Sequence, residues 1–267
     1  MVSVYVFDKD YEVFVWGNRF SEGNITNLNT VQDWCRQNGA HWCFNEAFFN
    51  FVNGQNNKNN CSGRTLQYLA NPDVGIIGYG DRTERLAVGK CIITGWKYAV
   101  RNGIQQKGLD AVGKRARNMD GLTADGRYIH VVSDRQTEAY VAAYALNAVR
   151  QIYGTTIKVL FVQDAGGSAS VYSDLSRLSF YPEGTRKVAS VMCVRMDHPY
   201  TFTRTLRTGL RGDDVRMLQM ALGGIEIDGI FGAGTERRLK QAQRALGLAA
   251  DGYAGPLTMR AMGYKFE

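Results

Sequence analysis

Apolar positions alternate or cluster in short runs through the first 195 residues, then switch to helical spacing. The segments VSVYVF and YEVFVW are β-branched and aromatic, with DKD as a turn between them, which predicts a β-hairpin. Thr30 as N-cap, followed by Val31, Trp34 and Cys35 on one face, predicts a short helix ending at Asn38-Gly39. HWCFNEAFFNF reads as a dense aromatic strand and GQNNKNNCSG as an exposed polar loop. Further strands are expected in VGIIGYG, RLAVGKCIITG, KYAVRNG, ADGRYIHVVSD, KVLFVQDAGGSASVY and KVASVMCVRM. One longer stretch, EAYVAAYALNAVRQIYG, has helical spacing at Tyr140, Ala143, Tyr144, Ala148 and Ile152 and stops at Gly154. Many strands with few helices predict an α+β domain with a large mixed sheet.

The pattern changes at about residue 200, dividing the chain into segments 1–198 and 204–267. In the second, Asp213 or Asp214 is a candidate N-cap, and Val215, Leu218 and Leu222 share one helical face. Thr235 is placed to cap a helix carrying Leu239, Ala242 and Leu246. A turn built on Asp228-Gly229 and ending at Thr235 recurs at Asp251-Gly252 and ends at Thr258, each copy opening a helix. The strings GLRGDDVRMLQMALGG, IDGIFGAGTERRLKQAQRALGL and ADGYAGPLT resemble the peptidoglycan-binding domain of bacterial and phage wall hydrolases. The resemblance implies a small all-α, three-helix C-terminal domain that holds wall glycan-peptide without catalysis. Its candidate wall-binding residues are Asp228, Phe231, Thr235 and Tyr253, although turn and cap geometry already explains most of them as fold-forming.

Composition narrows the field modestly. The 267 residues are 45% hydrophobic and 21% charged, as in an ordinary globular protein. Lys and Arg number 32 against 25 acidic residues, a net charge of +7 that favours polyanionic partners. The N-terminal residues lack a basic start and a long apolar run, so no secretory signal is read there, and no stretch has the length of a membrane span. Cys35, Cys43, Cys61, Cys91 and Cys193 have no metal-ligand spacing and are expected mostly as buried thiols, a single disulfide being the less favoured alternative in a reducing compartment. His41, His130 and His198 form no metalloprotease motif, and no nucleotide-phosphate loop is present, so no cofactor or metal is predicted; a divalent cation near Asp164 stays open, with no ligand spacing that calls for one. Trp16, Trp34, Trp42 and Trp96 are expected mainly in the core.

Three segments of the first domain carry candidate chemistry. NEAFFNF holds Asn45, Glu46 and Asn50. KRARNMDGLTADGRYIHVVSD holds Arg117 and, at its end, Asp134. VLFVQDAGGSASV holds Asp164 at a strand end before Gly166, Gly167 and Ser168. A carboxylate beside a glycine turn is rigid and accessible, and arginine's planar fork suits phosphate. In this order the segments resemble the phosphodiester glycosidase family, across most of residues 1 to 195. Asn45, Phe48, Phe49 and Asn50 match its first motif; Arg117, Gly121 and Asp125 to Arg127 the second; Asp164, Gly166, Gly167 and Ser168 the third. Glu46, Asn118 and Ala165 depart from the family pattern. The resemblance implies cleavage of a sugar phosphodiester, with catalytic candidates Asp164 and Glu46, Asp134 third, and Arg117 binding phosphate. Asn45, Asn50, Gly166, Gly167 and Ser168 would bind substrate.

The resulting expectation is a phage endolysin or similar wall hydrolase, monomeric and without a secretory leader, held in the host cytoplasm until lysis and then acting at the wall. Its partners would be peptidoglycan and attached anionic glycopolymers, with neither nucleic acid nor membrane insertion involved. Two alternatives stand beside it: a non-catalytic wall-binding protein, and a muramidase or glucosaminidase cutting the glycan backbone.

Overall fold

A computed structural model of the chain describes residues 1–17, 29–45, 51–52, 55–56, 70–71, 76–77, 86–88, 91–93, 95, 97–185, 187–188 and 190–267. The fold is α+β, with two antiparallel sheets in the N-terminal part and helices in the C-terminal part. The strands of the first sheet are β1 (Val2–Phe7), β4 (Lys97–Arg101), β5 (Ile104–Gln105), β6 (Arg115–Thr123), β7 (Tyr128–Gln136) and β8 (Ile157–Ala165). They lie in the order β1-β7-β6-β8-β4-β5. The second sheet is formed by β2 (Glu12–Gly17), β3 (Trp42–Asn45), β9 (Ser170–Ser173), β10 (Leu178–Phe180) and β11 (Ser190–Arg195), in the order β10-β9-β3-β11-β2. β1 and β2, expected to pair as a hairpin, instead belong to different sheets. Short pairings also occur at 51–56 and within 70–93.

Alternation along each strand gives every sheet two distinct faces. On the outer face of the first sheet, Val2, Val4, Val6, Met119, Ile129, Val131, Leu160 and Val162 pack under helix α2 (Glu138–Tyr153). Thr137 caps α2, and Gly154 ends it in the left-handed conformation. The inner face sets Tyr5, Phe7, Val132 and Phe161 against Trp42, Phe44, Val171 and Met192 of the second sheet. Helix α1 (Val31–Asn38) closes the far side with Val31, Trp34 and Cys35. The Thr30 cap is a full capping box with Asp33. Cys43 and Cys193 are directly opposite in the β3–β11 register and form a disulfide, correcting the expectation of thiols, whereas Cys35 is a buried free thiol. The sequence spacing of the two cysteines held no sign of this, because β3 and β11 are brought together only by the sheet.

The C-terminal helices are α3 (Asp213–Leu222), α4 (Ala233–Ala245) and α5 (Pro256–Ala261). Strands β12 (Thr201–Phe202) and β13 (Lys265–Phe266) form a parallel clasp between the start and end of this module. Gly212, not an aspartate, is the N-cap of α3, and Gly232 is that of α4. The module does not hang from a tether. Val215, Leu218, Leu222 and Leu239 belong to the same buried cluster as Tyr5, Trp42 and Phe44.

Polar contacts fix this joint in register. The fully buried Trp42 donates its indole N–H to the carbonyl of Met220 at 2.9 Å. Ser3 Oγ donates to the Ile225 carbonyl at 2.5 Å. Gly224, at φ +63°, lies so close to Phe180 that an added Cβ would stand 2.9 Å from its Cβ. Arg238 of α4 caps the end of α3 through the carbonyls of Leu222 (3.2 Å) and Gly223 (2.8 Å). Its other arm donates to the Ser179 carbonyl of β10 at 3.0 Å. One guanidinium thereby serves the orphan carbonyls of a helix end and ties that helix to the neighbouring sheet. Trp42→Ala should lower stability by about 3–5 kcal/mol, measured by urea unfolding, and stopping the chain at residue 199 should give an unfolded or aggregating product. A 1–199 fragment that unfolds cooperatively at the full chain's midpoint would show that the N-terminal core is complete without the module.

Candidate active site and wall-binding surface

The three candidate segments meet at one end of the sheet sandwich. Asn45 ends β3 and pairs with Ser170 at the start of β9. Ala165 ends β8 and pairs with Arg117 of β6. Gly166–Ser168 form a single 3-10 turn joining β8 to β9. The Asn118 amide closes the triangle by donating to the Asn45 carbonyl. Asn45 and Asn118 are both buried. Glu46 and Asn50 lie outside the described residues, as do the side chains of Asp164 and Ser168.

Strand periodicity separates two residues that are adjacent in sequence. Asn118 and Asp120 lie on the face of β6 directed at the second sheet, with Ala116 and Leu122, whereas Arg117 lies on the α2 face. Arg117 is 5% exposed and its N–H groups are taken by this chain. It donates to the Gln136 carbonyl (3.2 Å), Glu138 (3.0 Å), Asp110 (2.9 Å) and the Gly113 carbonyl (2.6 Å). Lys97 joins the same cluster through Glu138 at 2.7 Å. The Asp110 carboxyl is held down at about 2, first by the Gly113 and Val112 amides and then by Arg117. This arginine organises the 106–114 loop and the start of α2, which leaves its fork little capacity for the phosphate expected of it. Asp134 is likewise engaged: it pairs with the amino terminus of Met1 at 2.7 Å and accepts from Gln136 at 2.9 Å.

Sequence reading passed over the polar residues that line the interior beside this end. Asp120 and His130 are cross-strand partners, both fully buried, and Gln163 donates to Asp120 at 2.7 Å. The His130 ring lies 3.9 Å from that of Phe44, centroid to centroid. Burial pushes the imidazole down to about 3, against the opposing pull of Asp120. Polar residues at inward positions of strands otherwise filled with Val, Ile, Tyr and Phe were the available signal. Among the described residues no group of three or more His, Cys, Asp or Glu is arranged to hold a metal ion.

In the C-terminal module the repeated turn has a repeated physical cause. Gln219 donates to Asp228 (2.8 Å), the Ile230 carbonyl (3.0 Å) and Thr235 (3.1 Å), while its own oxygen accepts the Gly229 amide (2.8 Å). Gln243 repeats the pattern with Asp251 (2.7 Å), the Tyr253 carbonyl (3.0 Å), Thr258 (3.2 Å) and the Gly252 amide (3.0 Å). A buried glutamine on one helix thus builds the turn that opens the next, and α4 serves in both copies. Asp228 and Thr235 hold the turn; Thr235 makes no cap bond, and Phe231 is 1% exposed in the core. Of the four candidate wall-binding residues, Tyr253 presents its ring outward, at 48% exposed. Ile230 takes the equivalent place in the first copy, at 36%. Beside Ile230 a cleft of about 290 Å³ opens at the joint, lined also by Met1, Glu226, Asp228 and Arg237.

Residues 211–262 match a family model described as a putative peptidoglycan binding domain, which supports peptidoglycan as the partner of this module. The chain is 43% identical over 70 residues to the zinc D-Ala-D-Ala carboxypeptidase of Streptomyces albus G. That match covers 24% of this chain and 28% of the relative, so the chain spans little more than a quarter of that protein. Among solved structures, it is similar to the zebrafish N-acetylglucosamine-1-phosphodiester alpha-N-acetylglucosaminidase catalytic domain auto-inhibited by its pro-peptide. Identity is 13%, coverage 73% of this chain and 83% of that one, and the TM-score 0.44. A hypothetical protein from Synechocystis shows 12% identity, coverage of 72% and 58%, and a TM-score of 0.47. Both are loose likenesses of fold, and no residue role is taken from them.

His130 makes the interior pH-sensitive in a defined direction. The folded chain keeps it neutral down to about pH 3, whereas the unfolded chain protonates it near its ordinary value of 6.5. Between those values the unfolded state binds the extra proton, so stability falls as pH falls, by at most about 1.4 kcal/mol per pH unit from this group. Urea unfolding from pH 7 to 4 should show a shallower decline for His130→Gln than for wild type. Parallel declines would remove His130 from the account.

Proposed function

We propose that this chain is a wall-targeted hydrolase whose N-terminal part cleaves a sugar phosphodiester or glycosidic bond in bacterial cell wall. The observation that carries the reading is the meeting of Asn45, Asn118 and the Gly166–Gly167 turn at one end of the sandwich, from segments far apart in sequence. The match of residues 211–262 to a peptidoglycan-binding model supplies the address. In this proposal Asp164 and Glu46 are the reactive carboxylates, Asn45, Asn50, Gly167 and Ser168 contact substrate, and Arg117 acts as a positioning residue. A retained wall keeps local substrate concentration high without altering the reacting groups. An endolysin's route, from host cytoplasm to wall at lysis, completes the proposal.

The departures from the family pattern at Glu46, Asn118 and Ala165 favour a second reading in which the N-terminal part recognises carbohydrate without cutting it. Purified walls decide between them. Wild type should pellet with walls and release soluble sugar or phosphate. Asp164→Ala and Glu46→Gln should pellet equally and release at least about 100-fold less. Tyr253→Ala should lower the pelleted fraction with a smaller effect on release from soluble fragments. Wall binding by wild type, Asp164→Ala and Glu46→Gln with no release by any of the three would establish the non-catalytic reading.

A further inference from the structure

The turn after β10 brings to the same end of the sandwich a carboxylate that the motifs did not include. Residues Tyr181 to Gly184 form a turn closed by the Gly184 amide on the Tyr181 carbonyl at 3.3 Å. Glu183 projects from it toward the candidate site. Its Oε1 accepts the Ala116 amide at 2.8 Å, one residue before Arg117. Its Oε2 faces Gly166, where an added Cβ would stand 3.3 Å away and where φ is +72°. The glycine turn therefore lies directly against a carboxylate oxygen, and its backbone conformation is one that side chains rarely adopt.

The other described carboxylates of this end have both oxygens employed or lie in the interior. Asp134 is bonded to Met1 and Gln136, while Asp110 and Glu138 are bonded to Arg117 and its surroundings. Asp120 is fully buried. The Glu183 side chain is 23% exposed, and the cation beside it, Arg135, is 3.7 Å away and 73% exposed. Such an arrangement fixes Oε1 on the Ala116 amide, with the Arg135 fork beside it able to meet phosphate, and turns Oε2 toward the glycine turn. The strand that leads into this turn, β10, is held from its other side by the C-terminal module, through Arg238 on Ser179 and Gly224 on Phe180.

We propose that Glu183 is a catalytic general base of this site, acting on a sugar phosphodiester whose phosphate is met by Arg135. The proposal rests on the hydrolase reading above and adds the proton acceptor. Glu183 takes a proton from water as the water oxygen bonds to the anomeric carbon. The bond from that carbon to the bridging oxygen breaks, its electron pair leaves with the phosphate monoester, and Glu183 returns the proton to solvent. A phosphate monoester leaves as a stable anion, so this bond needs no acid on the departing oxygen, and Asp164 and Glu46 serve in this step to stabilise the positive charge that develops at the anomeric carbon.

Glu183→Gln keeps an oxygen for the Ala116 amide and removes the base. Full-length Glu183→Gln should pellet with purified walls and melt as wild type does, yet release product at least 100-fold more slowly. Glu183→Ala should recover release in sodium azide, an anion that attacks without losing a proton, and its product should carry azide at the anomeric carbon. Release by Glu183→Gln within threefold of wild type, or no azide-bearing sugar from Glu183→Ala, would overturn the assignment. If wild type itself releases nothing, the hydrolase reading fails first and Glu183 falls with it.

Discussion

The indole of Trp42 is buried where the two parts of the chain meet, and its N–H is satisfied by a carbonyl of α3, 178 residues away. Left in a 1–198 fragment, that ring would face water and its neighbours Tyr5, Phe7 and Phe44 would lose their cover. A tethered module needs only a polar linker. This one supplies α3 and α4 as the last wall of a core whose other walls are β-sheets, and the hydrophobic gain of closing that core opposes any rocking of the module. Arg238 adds direction to a contact that apolar burial alone would leave free to slide, because its guanidinium meets helix end and sheet edge at once.

That joint reaches the candidate site by a short route. Ser179 and Phe180 of β10 are gripped by the module, and three residues further Glu183 meets Ala116 and Gly166. The other border of the site is set from the α2 side, where Arg117 gathers Asp110, Glu138 and the Gly113 carbonyl. A buried ionic cluster of this kind is a better device for fixing geometry than for adding stability, since desolvation consumes much of the attraction. Both supports leave the glycine turn between β8 and β9 in a rigid frame.

Much of this was legible in the chain. Alternating Val, Tyr and Phe marked β1, β7 and β8, the Thr30 cap started α1, Gly154 ended α2, and the doubled Asp-Gly turn marked the C-terminal module, whereas β6, with the sequence RARNMDGLT, carries no such run. What stayed hidden depends on contacts between distant segments. Strand alternation puts Asn118 on the inner face and Arg117 on the α2 face, a separation that adjacent positions in a motif do not reveal. Gln219 and Gln243 read as ordinary helix residues until their turns fold around them. Cys43 and Cys193 meet only through sheet register. Glu183 sits in a segment with no motif, and its place follows from a turn that continues β10, where Arg238 of α4 holds Ser179.

Differential scanning calorimetry of the full chain measures the shared core most directly. One unfolding transition is predicted, with the calorimetric enthalpy equal to the van't Hoff enthalpy, because neither part can keep its apolar face dry alone. Two resolved transitions, one for the helical module and one for the sheets, would contradict it.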